Sequence, residues 1–261
     1  MKKYQLDLKV KSLEHLNEKY VLMKLTDNKP LQEMLPGQFV NIRIDNADTF
    51  LRRPISINFV DYAKNELHLL IAAIGEGTRW LASCQTGDVV NMLLPLGNGF
   101  ANPEEMEKGK SVLLIGGGVG VAPLLYYGKV LKDSGIVPVF LLGARSAKDL
   151  LLLESFKAIG ETYVTTEDGT MGDKGFVTNS SFVDGDLASK VSKISCCGPK
   201  PMMVAVARMA KAKGVPCEVS LENMMACGLG ACLCCVEKTV KGNVCVCTEG
   251  PVFDIEELNW I

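Results

Sequence analysis

The sequence predicts three successive segments: an antiparallel β-barrel, an α/β domain built on a parallel sheet, and a small cysteine-rich segment at the C-terminus. Short strand-like runs separated by turn residues recur through residues 1–100, which is typical of a barrel. Strand-like and helix-like runs alternate through residues 101–221, which is typical of a parallel sheet with helices on its faces. Six of the ten cysteines lie in residues 222–261. We therefore place domain boundaries after residues 100 and 221.

The composition excludes several classes of protein. The 261 residues are 48% hydrophobic and 22% charged, as in ordinary globular proteins, and a net charge of −2 gives no reason to expect nucleic acid or a membrane surface as partner. Residues 111–128 carry no charge, but their five glycines and Pro123 favour a buried strand that leads into a helix over a membrane span. The N-terminal run alternates like a strand rather than a signal peptide. We expect a cytoplasmic protein whose cysteines are reduced or bound to metal.

Two motifs of the predicted barrel suit a flavin nucleotide. In "LRRPISIN", Arg53 and Ser56 lie on one extended run that Pro54 stiffens. The planar fork of an arginine suits a pyrophosphate, and a serine hydroxyl can bond a flavin ring or ribityl chain. In "GEGTRW", Gly77 and Thr78 are expected at a turn whose backbone N–H groups can meet phosphate. The alternative is that paired arginines before a proline mark a solvated strand edge.

The predicted α/β domain opens on a glycine-rich turn. "VLLIGGGVGVAP" places Gly116, Gly117, Gly118 and Gly120 between the first strand and its helix. Such a turn lets a dinucleotide approach the backbone and the helix N-terminus. Val121 stands where the fingerprint G-x-G-x-x-G has its third glycine, so glycines used only for tight packing are an open alternative.

Three later features of this domain carry predictions. "AKDLLLLESFKAIG" predicts a helix capped by Ser146. "CCGPKPMM" lies between a strand and a helix, so Cys197 should lie at the carboxyl edge of the sheet, where ligands bind in such folds. A buried structural cysteine is the alternative. Arg145 could face the 2′-phosphate of NADP, so the residues alone leave NAD and NADP open.

The cysteine-rich segment has the spacing of a metal cluster site. Cys227, Cys232 and Cys235 form C-x4-C-x2-C, and a further cysteine follows at position 245 or 247. This is the plant-type [2Fe–2S] spacing. Gly228 and Gly230 let the loop curl closely around inorganic atoms. The spacing does not decide between Cys245 and Cys247.

Two other metal centres fit these cysteines less well. Structural zinc usually shows two CxxC or CxxH pairs, and here there is one, Cys232–Cys235. A Rieske centre needs two histidines nearby, whereas His15 and His68 lie far away in sequence. Zinc and buried free thiols remain the alternatives. Cys234 is adjacent to Cys235, and the spacing favours Cys235 as the ligand.

The order of the motifs along the chain identifies a protein family more specifically than any single motif does. "LRRPISI", "PLGNGF", "LLIGGGVGVAPL", "TEDGTMGDKG", "CGPKPMM" and "MACGLGACLCCV…CTEGPVF" cover essentially the whole chain. Their order resembles the ferredoxin–NADP reductase superfamily and, within it, the electron-transfer subunits of class 1B, NAD-dependent bacterial dihydroorotate dehydrogenases.

The resemblance implies three cofactors: FAD, a [2Fe–2S] cluster and NAD. It implies FAD contacts from residues of the barrel, namely Arg53, Pro54, Ile55, Ser56, Leu70, Ile71, Ala72, Gly77 and Thr78. It implies NAD contacts from Gly116, Gly117, Gly118 and Gly120, with Cys197 as the catalytic residue near the nicotinamide. The family's last cysteine precedes x-x-G-P-V-F, which makes Cys247 the fourth cluster ligand and leaves Cys234 and Cys245 outside the set. Ile55 stands where many members of the superfamily have an aromatic residue.

The function that this resemblance implies is electron transfer in pyrimidine biosynthesis. Electrons would pass from the FMN of a catalytic partner subunit through [2Fe–2S] and FAD to NAD⁺, in a heterotetramer with two of each subunit. FAD can join one-electron and two-electron carriers, so no residue need act as acid or base. The nearest alternative is the FAD subunit of an NAD(P)H:ferredoxin oxidoreductase or sulfide dehydrogenase. A nucleotide-binding module stapled by zinc is an alternative of a different class.

Overall fold

The N-terminal strands close into a six-stranded antiparallel barrel in the computed structural model, which describes residues 2–45, 49–106 and 109–260. Around the barrel the strands follow the order β1-β2-β5-β4-β3-β6. A helix, α1 (Glu76–Ala82), lies between the last two strands in sequence. The barrel strands are β1 (Tyr4–His15), β2 (Tyr20–Thr26), β3 (Phe39–Ile42), β4 (Arg53–Asp61), β5 (Glu66–Ala72) and β6 (Val89–Leu96).

Alternating apolar residues fill the interior of this barrel. In β1, Leu8 and Val10 are completely buried and the residues between and beside them are exposed. Met23 and Leu25 on β2 and Leu69 on β5, the strand that pairs with β2, are also completely buried. Burial of each such side chain stabilises the fold by about 1.5–3 kcal/mol. The predicted antiparallel barrel is confirmed.

The pairing between β4 and β5 stops part-way along these strands. It runs from Asp61 opposite Glu66 to Ile57 opposite Leu69, with an irregularity between Ile57 and Phe59. On its other edge β4 continues to pair with β3, as far as Arg53 opposite Ile42. The first part of β4 carries the R-P-I-S motif. It therefore pairs with β3 on one edge, but its pairing with β5 on the other edge begins only at Ile57.

A second, mostly parallel sheet follows the barrel in sequence. Its central strand, β7, pairs in parallel with β8 and with β11. Helix α2 packs on β7 and β8, and helix α5 packs on β11 and β12. The elements of this region are β7 (Ser111–Gly117), α2 (Ala122–Asp133), β8 (Val137–Ala144), α3 (Leu153–Ile159), β9 (Glu161–Thr166), β10 (Asp173–Lys174), α4 (Leu187–Lys190), β11 (Val191–Cys197), α5 (Lys200–Ala212) and β12 (Cys217–Ser220).

The helix predicted to start after Ser146 starts later, so that prediction is wrong. Ala147–Asp149 form a single 3-10 turn, and the Ser146 hydroxyl bonds Oδ2 of Asp149 at 2.7 Å instead of capping a backbone N–H. Leu152 then adopts φ of +55°, a left-handed conformation that breaks the helical hydrogen-bond pattern. Helix α3 begins only at the next residue.

The cysteine-rich segment forms a small hairpin and rejoins the second sheet. The hairpin strands are β13 (Val236–Thr239) and β14 (Gly242–Cys245), followed by α6 (Val246–Glu249) and β15 (Val252–Asp254). Strand β15 pairs antiparallel with β12, which completes a seven-stranded sheet of order β10-β9-β8-β7-β11-β12-β15. The predicted parallel-sheet domain is thus confirmed, with one antiparallel strand added at its edge.

By packing, the chain forms two compact units. The first contains the barrel up to Gly99 together with Asn223–Glu237 and Val244–Pro251, and so holds all six C-terminal cysteines. The second contains Phe100–Glu222, Lys238–Asn243 and the end of the chain from Val252. Across the described ranges, no helix is long and apolar enough to cross a membrane.

Candidate functional site

The loop that carries C-x4-C-x2-C directs backbone N–H groups at its sulfur atoms. The N–H of Leu229 donates to Sγ of Cys227 at 3.3 Å, and the N–H of Gly230 donates to Sγ of Cys247 at 3.2 Å. The N–H of Cys247 donates to Sγ of Cys235 at 3.4 Å. Hydrogen bonds to sulfur stabilise the thiolate form that binds iron and tune the cluster that it holds.

Both predicted loop glycines occupy backbone conformations that other residues rarely adopt. Gly228 has φ of +69° and Gly230 has φ of +80°. A Cβ atom at Gly228 would lie 3.0 Å from Nδ2 of Asn41, and one at Gly230 would lie 3.0 Å from Cγ2 of Thr248. The loop is therefore tightly curled and closely packed at both positions, as a small-residue cradle for inorganic atoms requires.

Cys227 has the environment of a thiolate. Burial raises its pKa, but hydrogen bonds from the backbone N–H groups of Leu229, Cys232 and Ala231 and from the Cys232 thiol outweigh burial and bring the pKa to about 6. A thiolate is the form of cysteine that coordinates metal. The donor chemistry at Cys227 fits a cluster ligand.

Two cysteines compete for the fourth ligand position, and their surroundings differ. Burial and the neighbouring Cys235 thiol raise the pKa of Cys247 to about 12, while the Gly230 N–H acts in the opposite direction. Burial and Cys235 also raise the pKa of Cys245, whose Sγ faces the carbonyl oxygen of Gly230 at 3.9 Å. A carbonyl oxygen accepts a hydrogen bond from a thiol and repels a thiolate, whereas an N–H stabilises a thiolate. Coordination deprotonates a thiol outright, so Cys247 is the better placed of the two to be a ligand.

The thiols lie in two neighbouring pairs. Cys227 hydrogen-bonds Cys232, and Cys235 hydrogen-bonds Cys247 and also the neighbouring Cys245. Within the described ranges, no three Cys, His, Asp or Glu side chains converge on one point that could hold a single metal ion. This does not conflict with a two-iron cluster, because each iron takes two cysteines and completes its shell with bridging sulfides. Cys234 is exposed and Cys235 is buried, so the two adjacent cysteines lie in different environments.

The structure brings two parts of the predicted flavin site together. A Cβ atom at Gly77 would lie 3.0 Å from Nε of Arg53, so the guanidinium lies against the start of α1. Gly77 and Thr78 lie in this helix rather than in the expected turn. The Thr78 hydroxyl donates to the Gly75 carbonyl at 3.1 Å and accepts from the Gly75 N–H at 3.0 Å. It is therefore already engaged at the helix start.

The remaining predicted flavin contacts differ in what they offer. Leu70 and Ile71 are 2% and 0% exposed, so their side chains belong to the barrel core and only their backbone can meet a ligand. Ala72, Ile55 and Ser56 are partly exposed. These residues lie just beyond the point where the β4–β5 pairing ends, so that ladder does not use their backbone groups.

Sequence reasoning missed the role of Arg52, which differs from that of its neighbour. Its Nη1 donates to the Asn41 carbonyl at 3.2 Å and its Nη2 to Oδ1 of Asn91 at 2.7 Å. Burial, followed by the nearby Arg43 charge, lowers the pKa of Arg52. Arg52 is thus tied into the barrel, and Arg53 is the arginine that lies against α1. Sequence offers no signal that separates two adjacent arginines.

The glycines of the GGGVG turn divide into two groups. A Cβ atom added at Gly116 would lie 2.8 Å from Cγ1 of Val121, and one added at Gly117 would lie 2.5 Å from Sδ of Met202. One added at Gly120 would lie 2.5 Å from Cα of Gly198. Packing requires glycine at Gly116 and Gly120, where the neighbours are a β-branched side chain and backbone, whereas the neighbour of Gly117 is the flexible end of the Met202 side chain. Gly118 has φ of +56° and would meet nothing within 4 Å. Gly118 is the glycine of this turn that is open to a nucleotide.

Cys197 ends β11 at the carboxyl edge of the sheet and is 1% exposed. Burial, with the negative charge of Glu222 second, raises the pKa of Cys197 well above its ordinary value, and a hydrogen bond with Ser220 acts in the opposite direction. Cys197 is therefore a neutral thiol. Sequence reasoning missed Ser220 and Glu222, although the pairing of Ser220 opposite Cys197 follows from the strand order.

Comparisons with known proteins agree with this geometry. A family model described as the iron-sulfur cluster binding domain of dihydroorotate dehydrogenase B matches residues 222–259, and one described as an oxidoreductase NAD-binding domain matches residues 114–208. The dihydroorotate dehydrogenase B (NAD(+)) electron transfer subunit of Bacillus velezensis is 43% identical over 227 residues, which are 85% of this chain and 86% of that protein. This chain belongs to the family of dihydroorotate dehydrogenase B electron transfer subunits.

Further relatives support the same family and the fold. The subunit of the same name from Fusobacterium nucleatum is 40% identical over 88% of this chain and 89% of that protein. A solved structure of an NADH-dependent reduced ferredoxin-NADP oxidoreductase, described for flavin-based electron bifurcation, superimposes with a TM-score of 0.85 at 29% identity. It covers 97% of this chain and 90% of that chain. The predicted resemblance, the fold class and the predicted set of FAD, [2Fe–2S] and NAD are confirmed.

Proposed function

We propose that this chain is the electron transfer subunit of an NAD⁺-dependent dihydroorotate dehydrogenase and carries electrons between a catalytic partner subunit and NAD⁺. The observation that carries this proposal is the cysteine loop. The loop has the cysteine spacing of a cluster site, its backbone N–H groups point at the sulfur atoms, and it packs in one unit with the N-terminal barrel. The chain is also 43% identical to a subunit of that name.

The cluster would be held by Cys227, Cys232, Cys235 and Cys247. Backbone N–H groups reach the sulfur atoms of Cys227, Cys235 and Cys247, and so lower the cost of holding anionic ligands in a small protein loop. Cys245 faces a carbonyl oxygen and stays a thiol beside the ligand set. The match of the segment to an iron–sulfur family model disfavours the zinc-stapled alternative.

The flavin would be held by the barrel. Arg53 would pair with the pyrophosphate from its position against Gly77, and Ser56 with the backbone of Leu70–Ala72 would border the ring where the β4–β5 pairing ends. When bound, FAD supplies the exchange between hydride chemistry and one-electron chemistry that neither nicotinamide nor the cluster can perform alone. Ile55, in place of an aromatic residue, leaves ring stacking to another group.

The nicotinamide nucleotide would be held by the second unit. Gly118 leaves the turn after β7 open for the nucleotide backbone, and Cys197 with Ser220 and Glu222 borders the carboxyl edge of β11 and β12. Cys197 is as buried as Leu70 and Ile71, so it would border the nicotinamide through its backbone, and its neutral thiol offers no proton transfer. Hydride transfer to and from nicotinamide needs no general acid or base here, as expected for an electron carrier.

The partner subunit would dock beside the cysteine loop. Met224, Leu229 and Leu233 are 83%, 47% and 63% exposed, although each is apolar and lies within a few residues of a ligand. Leu233 also has φ of +59°, a strained conformation for leucine, between Cys232 and Cys234. Exposed apolar side chains beside a functional centre mark an interaction surface. We propose that this partner carries FMN and that two copies of each subunit assemble.

One observation favours a second function. The solved structure of the NADH-dependent reduced ferredoxin-NADP oxidoreductase covers almost all of this chain at 29% identity. The relatives at 39–43% identity that are named as dihydroorotate dehydrogenase subunits make the first function the stronger one. Anaerobic co-purification separates them: an FMN-containing partner that oxidises dihydroorotate supports the proposal, and a large ferredoxin-like iron–sulfur partner supports the alternative.

Two neighbouring cysteines provide a matched test of the cluster site. Both Cys232 and Cys234 are exposed thiols, but only Cys232 is a proposed ligand. Cys232→Ser should lose iron and dihydroorotate:NAD⁺ turnover in the complex, while NADH still reduces FAD. Cys234→Ser should retain iron, sulfide and turnover. Turnover that survives in Cys232→Ser would exclude the cluster from the electron path.

A further inference from the structure

Asn41 is a polar side chain at a position where the barrel favours apolar residues. It lies in β3 and is completely buried, and its neighbours Phe39, Val40 and Ile42 are buried apolar residues. Burial of an amide without hydrogen-bond partners costs about 1–3 kcal/mol by mutational measures. A leucine would fill the same space without this cost, so packing alone does not account for the amide.

The hydrogen bond of Asn41 goes to the cysteine loop. Its Nδ2 donates to the carbonyl oxygen of Ala226 at 3.1 Å, across 185 positions of sequence. Ala226 immediately precedes Cys227, and Gly228, which follows it, would place a Cβ atom 3.0 Å from the same nitrogen. One amide group therefore contacts the loop on both sides of a proposed ligand. Its Oδ1 accepts no hydrogen bond from the part of the chain that the structure describes.

The backbone of Asn41 is tied to the flavin motif. Asn41 pairs with Pro54 of the R-P-I-S run, and its carbonyl accepts from Nη1 of Arg52 at 3.2 Å. Arg52 in turn bonds Asn91, whose Nδ2 donates to Oδ1 of Asp7 at 2.6 Å. The strand position of Asn41 is thus fixed by a polar network inside the barrel. The same residue joins the segment proposed to hold FAD to the segment proposed to hold the cluster.

We propose that Asn41 is a positioning residue that fixes the cysteine loop relative to the flavin motif and thereby sets the rate of one-electron transfer between the cluster and FAD. This inference rests on the proposed function. Asn41 touches neither reacting group directly. It acts by holding Ala226, and through it Cys227, in register with β3 and β4.

The test uses the full chain loaded anaerobically with FAD and cluster, in the Asn41→Leu variant. The protein is first reduced and then mixed with NAD⁺, which takes hydride from reduced FAD and forms NADH. Each reduced cluster then passes one electron to the flavin and loses its EPR signal, which freeze-quench samples follow in time. We expect NADH formation from reduced FAD at the wild-type rate. We expect loss of the EPR signal to slow several-fold, because the rate of electron transfer falls as the distance between the cluster and FAD grows.

Asn65→Ala is the matched control. Asn65 also uses its Nδ2 to hold a distant barrel loop, at the carbonyls of Asp27 and Lys29, at 2.8 and 2.9 Å. This variant should lose thermal stability while the EPR decay stays at the wild-type rate. The g-values of the reduced cluster should shift in Asn41→Leu and not in Asn65→Ala, because only the first changes the surroundings of Cys227.

The possible results distinguish a positioning role of Asn41 from a general loss of stability, and both from failure of the proposed function. A wild-type EPR decay in Asn41→Leu, or an equal slowing in Asn65→Ala, overturns the positioning role. If Asn41→Leu does not take up iron, the smaller Asn41→Ser variant decides by the same two readouts. If the wild-type cluster itself is never oxidised by NAD⁺ through FAD, the proposed function fails and not merely the role of Asn41.

Discussion

Gly120→Ala tests the division of the glycine-rich turn into packing and binding positions. A Cβ atom there would lie 2.5 Å from Cα of Gly198 and 2.6 Å from the carbonyl oxygen of Cys197. Carbon atoms pack best at about 3.5–4.0 Å, so the two turns would have to separate by roughly 1 Å. Both atoms belong to the backbone, so no change of rotamer relieves the clash. Overpacking of this kind costs about 1–3 kcal/mol of unfolding free energy.

Thermal unfolding measures this cost. For a chain of this size, about 1 kcal/mol lowers Tm by roughly 2–4 °C, so Gly120→Ala should unfold about 2–12 °C below the wild type. Gly118→Asn is the matched comparison, because Gly118 faces open space at φ of +56° and asparagine tolerates that conformation. Gly118→Asn should keep nearly the wild-type Tm and bind NADH about tenfold more weakly, a loss of about 1.4 kcal/mol.

The opposite pattern would refute this reasoning. If Gly120→Ala unfolds at the wild-type temperature and loses only NADH affinity, Gly120 faces the nucleotide and the turn is not packed on the segment 197–198. If Gly118→Asn binds NADH as the wild type does, the open face of the turn is not the nucleotide site.

Three further predictions concern the cysteine loop and the second unit. Cys247→Ser should lose iron on purification while Cys245→Ser retains it, because only Cys247 accepts a backbone N–H; equal iron content in the two variants would contradict this. Leu233→Gly should leave the unfolding free energy within about 1 kcal/mol of the wild type, since relief of φ of +59° offsets the glycine entropy. It should also weaken binding to the partner subunit by about 1.5–3 kcal/mol in calorimetry if the leucine is buried there. Burial is the main cause that raises the pKa of Glu218, so the stability that its neutral form contributes is lost as pH rises through the folded-state pKa. Glu218→Gln should therefore gain stability relative to the wild type in denaturant titrations as pH rises above the ordinary range of a glutamate. A pH-independent difference would exclude this assignment.

Local sequence patterns predicted the fold because most elements satisfy them. Alternating apolar residues in β1 and the strand–glycine–helix run at β7 decide their own conformations. The helix expected after Ser146 failed because Leu152 adopts a left-handed conformation, and nothing in leucine's own preferences indicates it. Thr78 was placed in a turn because its glycine neighbours suggest one, whereas its hydroxyl caps the start of α1.

The site was predictable where its ligands are close in sequence. C-x4-C-x2-C is a local signal, and it identified the segment that the iron–sulfur family model matches. The roles of Arg52, Asn41 and Ser220 depend on contacts between residues far apart in sequence, which no spacing rule reveals. The proposed choice of Cys247 over Cys245 rests on which sulfur faces an N–H and which faces a carbonyl, and sequence spacing carries no information about either contact.

The packing of the cysteine segment has a physical cause. The chain leaves the sheet after β12 and rejoins it at β15, and the residues between are too few to form a core of their own. They depend instead on barrel residues: Asn41 holds the carbonyl before Cys227, and Asn98 donates from its Nδ2 to the carbonyls of Thr248 and Glu249 at 3.2 and 2.9 Å, just after Cys247. The first and last ligands of the proposed set are thus anchored separately to the domain that would hold the flavin. An electron carrier whose rate depends on distance requires this arrangement, because a cluster segment folded independently on a flexible linker would fix no distance at all.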